Sequence, residues 1–255
     1  MRENQLKRKL ASGQTVIGPF VNCADASFIE IIGLAGFDFA IVDMEHGPLS
    51  VETASDLCRA AQLVGLDPIV RVRKNDAPQI QRALDIGSAG VQVPQIETRK
   101  QAEAVVRAAK YAPLGMRGVS FFTRAGDYTA LGTEGLTDRL NREQIVIIHI
   151  EGVRGLRNLD EIITVPHIDV IFLGPYDLSQ SFGIPGQVND PRVVKGMEEA
   201  VAKIRAAGKA AGTFAADPAT ARKWIQAGVQ YMSLGVDVGI FARACRDLLQ
   251  AVRQG

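Results

Sequence analysis

Several stretches of this sequence place ionisable side chains directly after apolar runs. In FAIVDMEHGP, residues 39–48, four apolar residues lead into Asp43, Met44, Glu45 and His46 before Gly47 and Pro48 turn the chain. IVIIHIE, residues 145–151, ends on His149 and Glu151 in the same manner, and IFLGPYD, residues 171–177, ends on Asp177. Arg71 and Arg73 close a third run, IVRVR at 69–73. Burying such groups is costly unless they pair or hold an ion. Two carboxylates, Glu151 and Asp177, suit a hard divalent cation such as Mg2+, Mn2+ or Co2+, which keeps some water and accepts a chelating oxygen ligand. Arg71 beside that ion would offer a fork to a substrate carboxylate. A 2-oxo acid fits both, with the metal as Lewis acid for an enolate beside the ketone. His46 is then the candidate acid/base group, since imidazole titrates near neutral pH.

Each residue also has a structural reading. Asp177 could cap the helix that follows it, Arg71 could pair with a neighbouring acid, and a lone histidine is more often packed than reactive. What favours chemistry is convergence, because several separate segments deliver ionisable groups at their same end. Neither a thiolate nor a multi-histidine cluster is present, so a zinc site is not expected.

The elements that must position these groups alternate regularly. Short β-branched runs at 15–21, 37–44, 67–72, 89–95, 145–151, 169–175, 210–216 and 230–236 are separated by segments with helical spacing. Asp76 and Asp217 are candidate N-caps, and Gly36, Gly65, Gly87, Gly208 and Gly228 candidate helix ends. Several strand runs are apolar on consecutive residues, as parallel strands covered on both faces require. Eight strand-then-helix units across 1–255 predict a single α/β domain, a (β/α)8 TIM barrel, whose chemistry belongs at the C-terminal strand ends. An open doubly wound sheet would be expected to carry a glycine-rich turn after its first strand, and VNCADAS at 21–27 is not one. The irregular segment 113–143 is expected to form an elaborated loop at the barrel mouth.

Composition narrows the partners. With 29 basic and 28 acidic residues the net charge is +1, which gives no global field for nucleic acid or an anionic membrane. Three cysteines, odd in number and without CxxC spacing, suit a reducing cytoplasm rather than a disulfide framework. The polar N-terminus lacks a signal-peptide core, and there is no apolar run of membrane-spanning length.

GFDFAIVDMEHGP, PIVRV, LDIGSAGVQVPQI, GMRGVS, IHIEG, IFLGPYDLSQSFG and SLGVD occur in the order seen in the HpcH/HpaI aldolase/citrate lyase family. The chain resembles that family's metal-dependent class II pyruvate aldolases along nearly its whole length. The resemblance implies a (β/α)8 barrel whose last helix is swapped between subunits, assembled as a homohexamer of two trimers. It implies Glu151 and Asp177 as metal ligands, Arg71 as the pyruvate-binding arginine, and His46 as the acid/base group acting through water. Asp85 would orient His46, Asp43 and Glu45 would support it, and the backbone of Gly174 and Pro175 would line the pyruvate pocket. The implied reaction is cleavage of a 4-hydroxy-2-oxo acid to pyruvate and an aldehyde.

Departures from the family pattern fall at Phe20, where tryptophan is frequent, at His149, where glutamine is expected, and at Tyr176 and SFFTRAGDY (120–128). Phe20 and His149 are therefore candidate substrate-pocket residues, and the departures bear mainly on the aldehyde side. A citrate-synthase-like condensation of oxaloacetate with acetyl-CoA is the alternative on the same site. A Schiff-base mechanism would need Lys74, since Lys209 falls at the wrong end of its strand. A barrel that binds a metabolite without turnover is the remaining reading.

Overall fold

In the computed structural model residues 3–254 are described, and the strands close into one parallel barrel in sequence order. The strands are β1 (Val16–Val21), β2 (Phe39–Asp43), β3 (Asp67–Arg71), β4 (Gly90–Val93), β5 (Ile145–Ile150), β6 (Val170–Leu173), β7 (Ala210–Ala215) and β8 (Tyr231–Val236). Each lies inside a run predicted from the sequence. The helices are α1 (Gln5–Ala11), α2 (Ala26–Leu34), α3 (Val51–Leu63), α4 (Ala77–Asp85), α5 (Arg99–Ala109), α6 (Leu136–Glu143), α7 (Val153–Arg157), α8 (Leu159–Ile162), α9 (Pro175–Ser181), α10 (Pro191–Ala206), α11 (Pro218–Gln226) and α12 (Asp237–Arg253). Among the described residues no helix is long and apolar enough to cross a membrane.

Local chemistry sets the element ends. Asp76 accepts from the Gln79 N–H at 3.2 Å to start α4, and Asp217 accepts from Ala219 and Thr220 to start α11. Helical spacing in VRGLRNLDEII, residues 153–163, suggests one helix, but the segment forms two, α7 and α8, meeting at Asn158, whose side chain donates to the Glu97 carbonyl. The short helices α1, α6 and α9 were not expected.

Alternation along the strands builds two apolar layers. Phe39, Ile41, Ile69, Ile147 and Phe172 fill the barrel interior. Ala40, Val42, Val70, Ile148 and Ile171 face the helices instead. Each large buried aliphatic contributes about 1.5–3 kcal/mol over its exposed state, so the two-residue repeat is strongly enforced. Leu6 of α1 joins the interior cluster from below, where its N–H donates to Asp67 at 2.8 Å.

The segment expected at the barrel mouth lies at the opposite end. It joins the end of α5 to the start of β5, beneath the N-terminal strand ends. There Lys110 donates to the carbonyls of Asn141 and Gln144, and Gln144 reaches the carbonyls of Leu84 and Ser88. An α-to-β connection returns to the strand starts by construction, and its sequence position after β4 does not alter that. The last helix, α12, stands away from the barrel with nearly every residue exposed, including Phe241 and Leu248.

Candidate active site

The inward repeat that fills the barrel continues upward into polar residues. Phe39 and Ile41 are followed by Asp43, Ile69 by Arg71, Ile145 and Ile147 by His149 and Glu151. Asp43 and Arg71 are direct register partners on β2 and β3, which puts acid and guanidinium side by side. Arg71 Nε donates to Asp43 Oδ1 at 2.8 Å and its Nη2 to Oδ2 at 2.6 Å. Glu45 completes the clamp, 3.1 Å from Arg71 Nη1, and the guanidinium lies 4.5 Å from the centre of the Phe20 ring.

Asp43 also shapes the turn that follows it. Its Oδ1 accepts the N–H of Glu45 at 2.9 Å and that of His46 at 3.4 Å, which bends the chain and sends His46 to the cavity rim. Gly47 completes the turn, because a Cβ there would collide with the Asp43 carbonyl. Burial pushes the Asp43 carboxyl up, but Arg71 and the two backbone N–H groups outweigh it, leaving it below the ordinary aspartate range. Glu45 moves the other way. Burial, opposed by Arg71 and reinforced by the charges of Glu151, Asp43 and Asp177, raises it to about 7.

Glu151 is fixed from two sides. Its Oε1 accepts the Gln95 N–H at 2.7 Å, and its Oε2 lies 3.1 Å from His149 Nδ1. Gln95 takes a positive φ of 59° to present that N–H, a conformation uncommon outside glycine. Burial raises the Glu151 carboxyl, while the hydrogen bonds from His149 and from the Gln95 N–H, and the Arg71 charge, pull it the other way. Gly174 leaves the needed space, since a Cβ there would sit 2.9 Å from Glu151 Oε2.

Asp177, in the first turn of α9, is exposed and carries no hydrogen bond or ion pair among the described residues. Its role as a mere helix cap is not realised, because the N-cap position is Gly174 and no side chain caps α9.

These groups border one cavity of about 270 Å³, lined by Asp43, His46, Arg71, Glu151 and Asp177 together with Phe20, Gly174 and Pro175. Asn22, His149, Phe172, Tyr176, Phe214 and Val236 complete its wall. Asn22, Phe172, Phe214 and Val236, and Gln95 behind Glu151, were missed from the sequence. For Phe172 and Phe214 a signal existed, since both stand on inward positions of the two-residue repeat. Asn22 and Gln95 stand in loops with no repeat to mark them.

Two expected residues differ from their expectation. Asp85 closes α4 at the strand-start end of the barrel, where it pairs with buried Arg117. It does not reach His46 within one chain, because α4 runs downward from β3 and carries its last residue away from the cavity. His149 borders the cavity, but Gln92 and Glu151 engage its two ring nitrogens, which leaves none for a substrate. Lys74 is exposed and outside the cavity lining, and Lys209 is committed to the Val165 and Ile168 carbonyls.

The donor set suits a hard cation. Among the described residues no group of three or more histidine, cysteine, aspartate or glutamate side chains could hold an ion. A cation between Glu151 and Asp177 would thus complete its shell with water or substrate oxygens, as Mg2+ does. The charges of Glu151, Asp43 and Asp177, which add to burial in raising Glu45, provide the negative potential for it.

The HpcH/HpaI aldolase/citrate lyase family model matches residues 16–244. Hydroxypyruvate/pyruvate aldolase of Pseudomonas aeruginosa is 34% identical over 253 residues, covering 99% of this chain and 94% of its own. A crystal structure of an HpcH/HpaI aldolase/citrate lyase family protein from Burkholderia cenocepacia superposes with a TM-score of 0.94 at 32% identity, covering 98% of this chain and 99% of that one. The structure of citrate synthase SbnG gives 0.88 at 33% identity, covering 98% and 97%. With that match along nearly all of its length and the same closed barrel, this chain belongs to the HpcH/HpaI aldolase/citrate lyase family.

Proposed function

We propose that the chain is a divalent-metal-dependent class II pyruvate aldolase that cleaves 4-hydroxy-2-oxo acids to pyruvate and an aldehyde. The observation that carries this reading is the shared cavity of Glu151, Asp177, Arg71 and His46, joined to full-length likeness to a hydroxypyruvate/pyruvate aldolase. Glu151 and Asp177 would hold Mg2+, Mn2+ or Co2+, which supplies Lewis acidity at the substrate's keto oxygen. Arg71, pre-oriented by Asp43, receives the substrate carboxylate and steadies the negative charge that develops on the keto side. The N–H-free edge of Pro175 and the open face of Gly174 leave room for the three-carbon unit.

His46 takes the proton from the C4 hydroxyl through water, and the electron pair of the C3–C4 bond passes into the ketone as the aldehyde departs. Protonation of the resulting enolate at C3 gives pyruvate. Phe20, Phe214, Tyr176 and Val236 would enclose the aldehyde portion. The single barrel acts in the cytoplasm as a homohexamer, in which α12 packs on a neighbouring subunit. The exposed apolar residues Val238, Phe241, Leu248 and Val252 on α12 support that exchange.

The test is pyruvate release from a panel of 4-hydroxy-2-oxo acids in the presence of Mg2+, Mn2+ or Co2+, with EDTA as control. Release that requires metal and disappears in Glu151→Gln supports the reading; metal-independent release overturns it. The likeness to citrate synthase SbnG favours one second reading, a condensation of oxaloacetate with acetyl-CoA on the same site. Citrate formation without aldol cleavage would select it.

A further inference from the structure

Below Glu151 a hydrogen-bonded string descends into the centre of the barrel. Tyr231 Oη donates to Gln92 Oε1 at 3.1 Å, Gln92 Nε2 lies 2.5 Å from His149 Nε2, and His149 Nδ1 lies 3.1 Å from Glu151 Oε2. Tyr231, Gln92 and His149 are buried at 0%, 0% and 1% exposure, so water cannot substitute for any of these bonds. The direction of the string follows from its first member. A phenol donates its one proton to the amide oxygen, which turns the amide nitrogen, a donor only, toward the imidazole. His149 Nε2 is therefore the acceptor, and the proton of a neutral ring stands on Nδ1, pointing at the carboxylate. The other neutral tautomer would set two N–H groups against each other and a bare nitrogen against Glu151.

The ring has no freedom to turn away, because it stacks on Phe172 at 4.4 Å with an interplanar angle of 18°. With Gln95 on Oε1 and the Gly174 backbone beside Oε2, the carboxylate is held from three directions.

We infer that Tyr231, Gln92 and His149 are positioning residues that fix Glu151 for a divalent cation, with His149 neutral and protonated on Nδ1. The inference rests on the reading of Glu151 as a metal ligand. The string orients and does not conduct, since it terminates on a phenol sealed inside the barrel with no exit for a proton. Its contribution is to hold the ligand in place before the ion arrives, so that binding does not have to order it.

The first test uses the metal-free protein. The chain has only three histidines, so ¹⁵N NMR of the labelled imidazoles is readable, and His149→Gln assigns the signal. A protonated Nδ1 and a bare Nε2 at His149 support the inference; an imidazolium or an Nε2–H tautomer overturns it. The second test is Mn2+ binding followed by electron paramagnetic resonance, with folding checked by circular dichroism. His149→Leu is expected to weaken Mn2+ binding by about 10–100-fold, the range for lost outer partners of a ligand. His149→Gln, whose amide can donate to Glu151, is expected to recover most of that loss, and Tyr231→Phe to weaken binding in the same direction. Wild-type affinity in His149→Leu, or no recovery in His149→Gln, overturns the inference. Should His149→Leu not fold, the tautomer and the Tyr231→Phe titration decide. Wild-type Mn2+ affinity in Glu151→Gln would instead remove the ligand assignment itself, an outcome distinct from the wrong tautomer.

Discussion

At the scale of single residues, the cavity is organised around one arginine between two unlike acids. Asp43 keeps its charge and grips Arg71 through both oxygens, whereas Glu45 is raised to about 7. A raised carboxyl favours folding in its protonated form. Its contribution is complete below the ordinary glutamate range and is lost as pH rises through about 7. In metal-free protein, Glu45→Gln should therefore gain melting temperature over the wild type between pH 5 and pH 8, with little difference at the acid end. Thermal melts across that interval check it, and a gain confined to pH 5 would contradict it. Arg71→Lys keeps a charge but loses the planar fork. Loss of about 2 kcal/mol, or about thirtyfold in kcat/KM for pyruvate release, is expected from one charged hydrogen bond. His46→Asn should lower kcat by about 10²–10⁴-fold, the usual worth of a positioned proton-transfer group, while Mn2+ affinity stays near the wild-type value.

At the scale of elements, the sequence revealed what local periodicity encodes. The strands, most helices and the inward sequence Phe39, Ile41, Asp43 could be read directly, because burial enforces a two-residue repeat and the cavity residues extend it. The positions of Asp85 and of the segment 113–143 were hidden for a different reason. Which end of a barrel a residue serves depends on the direction of its helix and on long-range partners, here Arg117 against Asp85 and Gln144, and neither leaves a local mark. The short helix α1 was hidden because its hold on the barrel comes from scattered long-range contacts, among them Leu6 to Asp67, Asn4 to Ala89 and Lys7 to Asp169. The turn after β2 was legible in part, since Gly47 and Pro48 announce it, but not the closeness of its backbone to Asp43. Gly47→Ala drives a methyl group into that carbonyl, and a stability loss of about 1–3 kcal/mol is expected from such overpacking. Chemical denaturation measures it, together with reduced activity from the displaced His46.

At the scale of the whole molecule, the barrel is filled from below by Leu6 and leaves α12 exposed at its side. Apolar residues cover α12 on faces its own barrel does not touch, with Leu248 71% and Val252 81% exposed, while Phe241 reaches back to Phe28 at 6.0 Å between ring centres and Arg243 donates to the Ala216 carbonyl. A helix with that surface is stable in water when another surface covers it. The double change Leu248→Asp and Leu249→Asp should shift the particle to a smaller mass in light scattering, whereas a mass unchanged by it would mean that α12 is not part of the assembly.

The shared two-residue beat of filler and reactive groups has a consequence for how such a chain can change. Adding one residue to β2 between Ile41 and Val42 would swing Asp43 out against the helices and Val42 into the cavity, erasing the arginine clamp in a single step. Lengthening the turns beyond His46 or Tyr176 leaves that beat untouched and remodels only the rim that meets incoming molecules. New substrates are thus reached through the rim, while the frame beneath it admits no slippage.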